Sequence, residues 1–262
     1  MEAKEIQQLF TSLSSTKIGV IGDIMLDTYW WGFVDRISPE APVPIVSLQR
    51  KEIRVGGAAN VALNTVALGA QTTIVSVIGS DADGALLQSL FEAEHIDTSY
   101  LLTHASRITT NKTRVMSRNQ QMMRLDHEHT NDITAEQEAA LLAGFYKYVD
   151  TEKPSLIILE DYNKGVLTPN IITLVIDYCN AKGIPTAVDP KQKNFLAYKN
   201  CTLFKPNLKE VKEGLKITIG EITVQNMDKV HTALNENLHN TISFITLSEH
   251  GVYFSDGKEQ KL

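Results

Sequence analysis

The fold of this chain is decided by one stretch, Gly56-Gly57-Ala58-Ala59-Asn60-Val61-Ala62-Leu63-Asn64-Thr65-Val66-Ala67-Leu68-Gly69-Ala70. Two adjacent glycines allow the backbone to take a positive φ and to approach a ligand closely. The Ala, Val and Leu residues that follow predict a buried helix, and Gly69 stands where that helix would end. The free N–H groups of such a helix start, together with the Asn60 amide, suit a hydroxylated ligand. The alternative is that the small residues only let the helix pack close to a sheet.

Short apolar runs alternate with helical patterns on both sides of this stretch. The predicted strands are 17–23, 72–78, 155–160, 184–188 and 202–205, the predicted helices are 81–94, 134–149, 169–182 and 221–238, and 241–255 predicts a final hairpin. This alternation is typical of an α/β fold with a doubly wound, mostly parallel sheet flanked by helices.

One segment departs from the alternation of helix and strand. Residues 109–125 show period-two alternation, and Asn119-Gln120 indicates a turn, so a polar hairpin is predicted. The proline-rich stretch before residue 45 favours an extended edge. We therefore expect a single domain over residues 1–262, with a small β lid built from about 36–54 and 107–125.

Composition and charge restrict the class of protein. The 262 residues are 43% hydrophobic and 21% charged, which is ordinary for a globular domain. A formal net charge of −6 argues against nucleic acid as the main partner. No apolar run reaches the roughly 18 residues that span a bilayer, and the N-terminus lacks a signal-peptide pattern. Cys179 and Cys201 show no metal or redox spacing, so we expect free thiols in a cytoplasmic protein without a membrane partner.

Polar residues recur at the ends of the predicted strands. They are Asp23 and Asp27; Glu160, Asp161 and Lys164; Asp189 and Lys191; and Lys205 and Asn207. Open α/β sheets bind ligands at this edge, so the repetition predicts one active-site edge. Asp27, just past the end of a central strand, would accept hydrogen bonds from sugar hydroxyls, although a turn aspartate remains the alternative.

The predicted hairpin carries arginines at 114, 118 and 124. Guanidinium groups suit bidentate phosphate recognition, but basic residues on a hairpin also serve simply to solvate it. The chain has neither a Gly-x-Gly-x-x-Gly motif after its first strand nor a Walker A loop. Any phosphoryl transfer must therefore use a different type of phosphate-binding loop.

An ordered set of motifs runs from residue 22 to about 251. The main ones are Gly22-Asp23-Ile24-Met25-Leu26-Asp27, Ser38-Pro39-Glu40-Ala41-Pro42-Val43-Pro44, Gly56-Gly57-Ala58-Ala59-Asn60, Ser117-Arg118-Asn119-Gln120-Gln121, Asp161-Tyr162-Asn163-Lys164-Gly165, Asp189-Pro190-Lys191 and Pro206-Asn207-Leu208-Lys209-Glu210. In this order they resemble the ribokinase-like (phosphofructokinase-B-type) sugar kinases. Within that family they are most similar to the D-glycero-β-D-manno-heptose 7-phosphate kinases, the kinase half of bifunctional ADP-heptose synthases.

The resemblance implies ATP-dependent, Mg²⁺-assisted phosphorylation of the anomeric hydroxyl of the heptose 7-phosphate. It implies substrate binding by Asp27, Gly56, Gly57, Asn60, Arg118, Gln120, Asp161 and Lys164. It implies nucleotide binding by Asn207, Leu208, Lys209, Glu210, Thr246, Ser248 and Gly251, with Glu210 organising Mg²⁺ through water. For Asn207 and Glu210, a plain helix cap with a first-turn acid is the alternative.

The chain departs from the family pattern at its C-terminal side. Members of the family carry a Gly-Ala-Gly-Asp stretch after the final hairpin, whose aspartate is the general base, and the sequence reaches Leu262 without it. We therefore expect that the C-terminal part of the fold is missing and that this chain is inactive as it stands. A kinase for another sugar, such as fructose or ribose, and a sugar-phosphate-binding protein without turnover are the alternatives. We also expect a homodimer through the lid, because exposed strand edges invite pairing.

Overall fold

The computed structural model describes residues 3–262, with backbone only at residue 3. The helices are α1 (Ala3–Leu13), α2 (Ala58–Ala67), α3 (Ala82–Ala93), α4 (Ala135–Glu152), α5 (Pro169–Lys182), α6 (Leu208–Leu215) and α7 (Val224–Leu238). The strands are β1 (Lys17–Gly22), β2 (Ile24–Ile37), β3 (Pro44–Gly57), β4 (Gln71–Gly79), β5 (Asp97–His104), β6 (Thr110–Ser117), β7 (Gln120–His127), β8 (Leu156–Glu160), β9 (Thr186–Asp189), β10 (Leu203–Phe204), β11 (Ile242–Thr246), β12 (Val252–Ser255) and β13 (Gln260–Lys261). None of these helices is long and apolar enough to cross a bilayer.

The larger sheet follows the predicted doubly wound plan. Within the described residues its strand order is β13-β12-β11-β10-β9-β8-β1-β4-β5. Its strands pair in parallel from β5 to β11, and β12 and β13 add an antiparallel edge. Val20 and Ile21, neighbours on β1, belong to two different hydrophobic clusters because successive side chains point to opposite faces. Helices α2 and α3 pack in one cluster and α4, α5 and α7 in the other, so the expected mostly parallel α/β fold is confirmed.

The predicted glycine-to-alanine helix is present as α2. Gly57 caps its N-terminus with a φ of 61°, and a Cβ at this position would collide with the carbonyl oxygen of Asp23. Ala58, Ala59 and Ala62 are fully buried against the sheet. Close packing and an open helix start therefore occur together, and the two interpretations of this stretch are compatible.

The smaller sheet has the order β3-β2-β6-β7 and is longer than the predicted lid. Strand β2 pairs with β3 along nearly its whole length and with β6 on its other side, which keeps the chain extended from residue 24 onward. Asp27 therefore lies inside β2, shortly after the end of β1, and the alternative of a turn aspartate is wrong. The β6–β7 turn falls at Arg118 and Asn119, one residue earlier than predicted, because Ser117 pairs with Gln120. Whether this sheet moves as a lid stays a prediction.

Candidate active site

A cavity of about 380 Å³ lies where the smaller sheet meets the start of α2. Four of the predicted substrate residues line it: Asp27, Gly56, Gly57 and Asn60. The junction forms because β1 continues into β2 through Asp23, while β3 ends at the glycine pair that opens α2. The structure therefore brings together Asp27 and Asn60, which are 33 positions apart in the sequence.

The Asp27 carboxylate is held in place by the wall of the cavity. Its Oδ1 accepts a hydrogen bond from Arg114 Nη1 at 2.5 Å, and both side chains are about three-quarters buried. A Cβ at Gly56 would collide with Asp27 Oδ2, so glycine leaves room for this carboxylate. The Arg114 guanidinium also lies 5.2 Å from the centre of the Tyr29 ring, a cation–π distance. These contacts orient a hydrogen-bond acceptor towards the cavity.

Strand register concentrates positive charge on the same wall. Four cationic side chains line the cavity, and each lies near one carboxylate: Arg54 near Glu52, Lys112 near Glu128, Arg114 near Asp27 and Arg124 near Asp126. Arg114 and Arg124 lie directly opposite each other in the β6–β7 ladder. Like charges in this position destabilise a sheet. An anionic ligand between them would remove that repulsion, so this wall suits a phosphate group.

Sequence reasoning missed Arg54, Lys112 and Tyr29 as cavity residues. Arg54 stands opposite Asp27 on β3, and Lys112 stands opposite Asp27 on β6. Tyr29 follows Asp27 by two residues and shares its face of β2. Period-two spacing from Asp27 would have found Tyr29, whereas the other two depend on strand register.

Asp23 holds the loop that follows β8. Its buried carboxylate accepts three backbone hydrogen bonds, from Tyr162 N at 2.8 Å, Lys164 N at 2.9 Å and Val166 N at 3.0 Å. Burial raises the pKa of Asp23, and these hydrogen bonds oppose that rise. Arg107 donates to the carbonyl oxygen of Lys164 from the other side of the loop. The loop is thereby fixed with Tyr162 in the cavity wall.

Lys164 and Asp161, the two predicted substrate residues of this loop, lie in different surroundings. Lys164 Nζ lies 2.8 Å from Glu128 Oε1, and Glu128 Oε2 is 3.8 Å from Lys112 Nζ, so Lys164 lies beside the cationic wall. Asp161 is 1% exposed and lies outside the cavity. Its Oδ1 accepts from Asn163 N and its Oδ2 from Tyr198 Oη, each at 2.7 Å. These contacts give Asp161 a bracing role within the fold.

Arg118 and Gln120 lie at the tip of the β6–β7 hairpin. Both side chains are exposed and neither lines the cavity. Arg118 has a φ of 53°, and its backbone N–H donates to the carbonyl of Gly32 at 3.0 Å. Their predicted role in substrate binding would require the hairpin tip to reach the ligand.

The predicted nucleotide residues lie at the carboxyl edge of the larger sheet. Asn207 caps α6, with its Oδ1 accepting from Glu210 N at 2.9 Å, while Glu210 Oε2 accepts from Asn207 N at 2.8 Å. These two hydrogen bonds form a capping box, so the helix cap that was the alternative interpretation of Asn207 and Glu210 is present. Glu210 Oε1 accepts a further hydrogen bond from Lys191 Nζ at 2.7 Å. Leu208 packs against the core, and Lys209 is exposed beside Glu213.

Strand β11 brings the last three predicted residues to the same edge. Thr246, at its end, forms a parallel bridge with Asn207. Ser248 and Gly251 belong to the exposed turn that follows, with φ angles of 54° and 82°. The two sequence-distant parts of the predicted nucleotide site are therefore neighbours.

Carboxylates and lysines lie between the cavity and the predicted nucleotide residues. Lys205 Nζ lies 2.6 Å from Asp189 Oδ2, and Lys191 Nζ lies 3.7 Å from Asp189 Oδ1. Burial, and next the charge of Asp189, raise the pKa of Glu160 to about 8. Among the described residues, no three His, Cys, Asp or Glu side chains form a metal cage. Glu210 offers one carboxylate at this edge, which is the kind of ligand that Mg²⁺ takes together with several waters.

Residues 15–262 match the description of a pfkB family carbohydrate kinase. The chain belongs to this family, and its class is therefore that of the sugar kinases. It is 38% identical over 252 residues to the Bifunctional protein HldE of Geobacter sulfurreducens, covering 96% of this chain and 51% of that protein. It is 41% identical to the Bifunctional protein HldE of Geobacter metallireducens, covering 84% of this chain and 44% of that protein. The chain spans about half the length of the curated relatives it matches.

Solved structures share the fold at low sequence identity. Phosphofructokinase-2 from Escherichia coli in complex with fructose-6-phosphate matches with a TM-score of 0.75 and 17% identity, covering 94% of this chain and 78% of that chain. Arabidopsis thaliana ribokinase complexed with ribose and ATP matches with a TM-score of 0.68 and 13% identity, covering 94% of this chain and 77% of that chain. The ribokinase-like fold is thereby confirmed.

Proposed function

We propose that this chain is the kinase part of a protein that phosphorylates D-glycero-β-D-manno-heptose 7-phosphate at its anomeric hydroxyl. ATP would supply the phosphoryl group, and the product would be the 1,7-bisphosphate used for ADP-heptose and lipopolysaccharide synthesis. The observation that carries the proposal is one cavity that combines Asp27 and Asn60 with four cationic side chains. The similarity to proteins named HldE supports the same choice within the family.

The cavity offers different chemistry to the two ends of such a substrate. Asp27 and Asn60 present oxygen and amide groups that hydrogen-bond hydroxyls. Arg114 and Arg124 present guanidinium forks that match a phosphate bidentately. A phosphate held at one end would fix the distance of the anomeric hydroxyl from the cationic wall. Positioning of this kind, with charge stabilisation, provides most of the catalysis in phosphoryl transfer.

ATP would bind along the edge formed by Asn207 and Thr246, with its phosphates at the start of α6. Mg²⁺ would neutralise phosphate charge there, and Glu210 would hold it through water. This proposal requires Glu210 to exchange its contact with Lys191 for contacts to the hydrated metal. The capping hydrogen bond to Asn207 N would remain.

The test is a substrate panel with the full-length gene product, followed by ³¹P NMR of the products. The heptose 7-phosphate should be converted with ATP and Mg²⁺ to a compound with a new anomeric phosphate signal. Faster conversion of fructose or ribose would favour a kinase for another sugar. Calorimetric binding of the sugar phosphate without any ATP turnover would favour a non-catalytic binding protein.

We also propose a homodimer through the smaller sheet, in the cytoplasm. The outer strands β3 and β7 carry exposed apolar side chains, including Leu48, Met123 and Leu125. Open edges with exposed apolar residues favour pairing with a second copy. The two buried free thiols, Cys179 and Cys201, are consistent with a reducing compartment. A monomeric mass in light scattering at micromolar concentration would contradict the dimer.

A further inference from the structure

The candidate site has two halves, the cavity beside Asp27 and the nucleotide edge formed by Asn207, Glu210 and Thr246. Lys191 lies between these two halves. It follows β9, which is flanked by β8 and β10 in the larger sheet. Its Nζ donates to Glu210 Oε1 at 2.7 Å and lies 5.4 Å from the centre of the Tyr162 ring. Tyr162 lines the sugar cavity, and Glu210 belongs to the first turn of α6. One ammonium group therefore touches both the proposed sugar side and the proposed nucleotide side.

The surroundings keep this lysine charged. Two carboxylates lie beside its Nζ, with Glu210 Oε1 at 2.7 Å and Asp189 Oδ1 at 3.7 Å. The side chain retains 30% of its exposure, so its end remains accessible from the space between the two halves. A charged and accessible ammonium in this place is suited to an incoming anion.

Both acidic partners of Lys191 have other partners. Glu210 Oε2 accepts from Asn207 N at 2.8 Å, and Asp189 Oδ2 is paired with Lys205 Nζ at 2.6 Å. If Lys191 turned away, neither carboxylate would be left without a hydrogen-bond donor. Breaking a buried ion pair is costly mainly when it leaves an unpaired charge. The network therefore allows Lys191 to exchange partners at low cost.

We propose that Lys191 binds the γ-phosphoryl group of ATP, releasing Glu210 as it does so. The inference rests on the proposed kinase function, because that function places a phosphoryl group between the nucleotide edge and the sugar cavity. A cation fixed at this point lowers the energy of the charge on the γ-phosphate oxygens. Mg²⁺ and Lys191 would then contact different parts of the triphosphate. The metal would lie near Glu210, and the ammonium group would lie nearer the sugar.

A purely structural role for Lys191 predicts a different outcome. If the lysine only holds Glu210 and the start of α6 in place, its loss affects ATP and ADP alike, because the two nucleotides share their α- and β-phosphates. A contact to the γ-phosphate affects the triphosphate alone. The ratio of the two affinities therefore separates the two roles without any measurement of turnover.

The experiment is titration calorimetry of the chain with ADP and with a non-hydrolysable ATP analogue, each with Mg²⁺. Lys191→Met should weaken the analogue about tenfold or more while ADP changes less than about twofold, since a hydrogen bond to a charged group is lost. Lys191→Arg should restore part of the preference for the triphosphate. Lys193→Met is the matched control, because Lys193 is exposed, its Nζ pairs at 2.5 Å with Asp132, and neither residue lines the cavity. This control should bind both nucleotides as the wild type does.

Equal weakening of both nucleotides in Lys191→Met, or no change in either, would overturn the inference. Circular dichroism and thermal melting of each variant show whether the fold is retained. The Lys191→Arg ratio decides the question if the Met variant unfolds. If the wild type binds both sugar phosphate and nucleotide but the ratio does not move, only this inference fails. If the wild type binds neither, the proposed function itself fails.

Discussion

Arg114 lies directly opposite Arg124 across the β6–β7 ladder, and only Arg114 is paired with the cavity carboxylate Asp27. Arg124 pairs instead with Asp126, through Nε at 2.7 Å and Nη2 at 2.9 Å. Two guanidinium groups are thus held on the same cavity wall by different acids. This arrangement has little value for the stability of the sheet but provides a ready anion site.

We expect Arg114→Gln and Arg124→Gln each to weaken binding of the heptose 7-phosphate about tenfold or more. The reason is that each variant removes one charged donor to the phosphate. Arg124→Gln should have little effect on the dephosphorylated heptose, whereas Arg114→Gln should weaken it as well, because Arg114 holds the Asp27 carboxylate. Calorimetry with the two sugars measures the effect. Arg118→Gln, in the same titration, decides between the cavity wall and the hairpin tip. A larger loss at Arg118 than at Arg114 would place the phosphate at the tip and contradict the proposed site.

Asp27→Asn should weaken binding of phosphorylated and unphosphorylated sugar by similar factors, of about tenfold. The reason is that the carboxylate accepts hydrogen bonds from hydroxyl groups that both sugars carry. Asp150→Asn serves as control, because Asp150 is exposed and pairs with Lys182 far from the cavity. Unchanged sugar affinity in Asp27→Asn would remove Asp27 from the site.

Gly57→Ala should destabilise the protein more than Gly183→Ala. Both glycines have positive φ angles, but Gly183 lies in the left-handed helical region (φ 68°, ψ 25°), whereas Gly57 (φ 61°, ψ −138°) lies in a region that residues with a Cβ rarely adopt, so the backbone strain is also greater at Gly57. Only at Gly57 does the added Cβ meet a backbone atom, the carbonyl oxygen of Asp23, whereas nothing lies within 4 Å at Gly183. We expect a cost of about 1 kcal/mol at Gly183 and at least about 2 kcal/mol at Gly57 in urea unfolding. Equal costs would show that the α2 start can relax away from Asp23.

Glu160 should make the protein less stable as the pH rises from about 4.5 to about 8. Its pKa is raised to about 8 in the folded state by burial and by Asp189, so the folded protein holds a proton that the unfolded chain releases near its ordinary value. The contribution to stability is therefore present at low pH and is lost between about pH 4.5 and pH 8. Thermal melting of Glu160→Gln should show a weaker decline over this interval than the wild type. A parallel decline in both proteins would contradict the raised pKa.

The parts of the structure that the sequence predicts are those that depend on local chemistry. Helix α2 follows from the glycine pair and the alanines, and the cap of α6 follows from Asn207. The position of Asp27 does not, because β2 stays extended only through pairing with β3 and β6, which are distant in the sequence. Lys112 enters the cavity for the same reason. The burial of Asp161 depends on Tyr198, which lies 37 residues further along the chain, and no local sequence pattern predicts that contact.

The central claim is that the cavity beside Asp27 binds a phosphorylated sugar. A crystal structure of the chain with the heptose 7-phosphate tests it most directly. We expect the phosphate within hydrogen-bond distance of Arg114 and Arg124, with sugar hydroxyls on Asp27 and Asn60. Density for the ligand at the hairpin tip, or on a surface apart from this cavity, would contradict it.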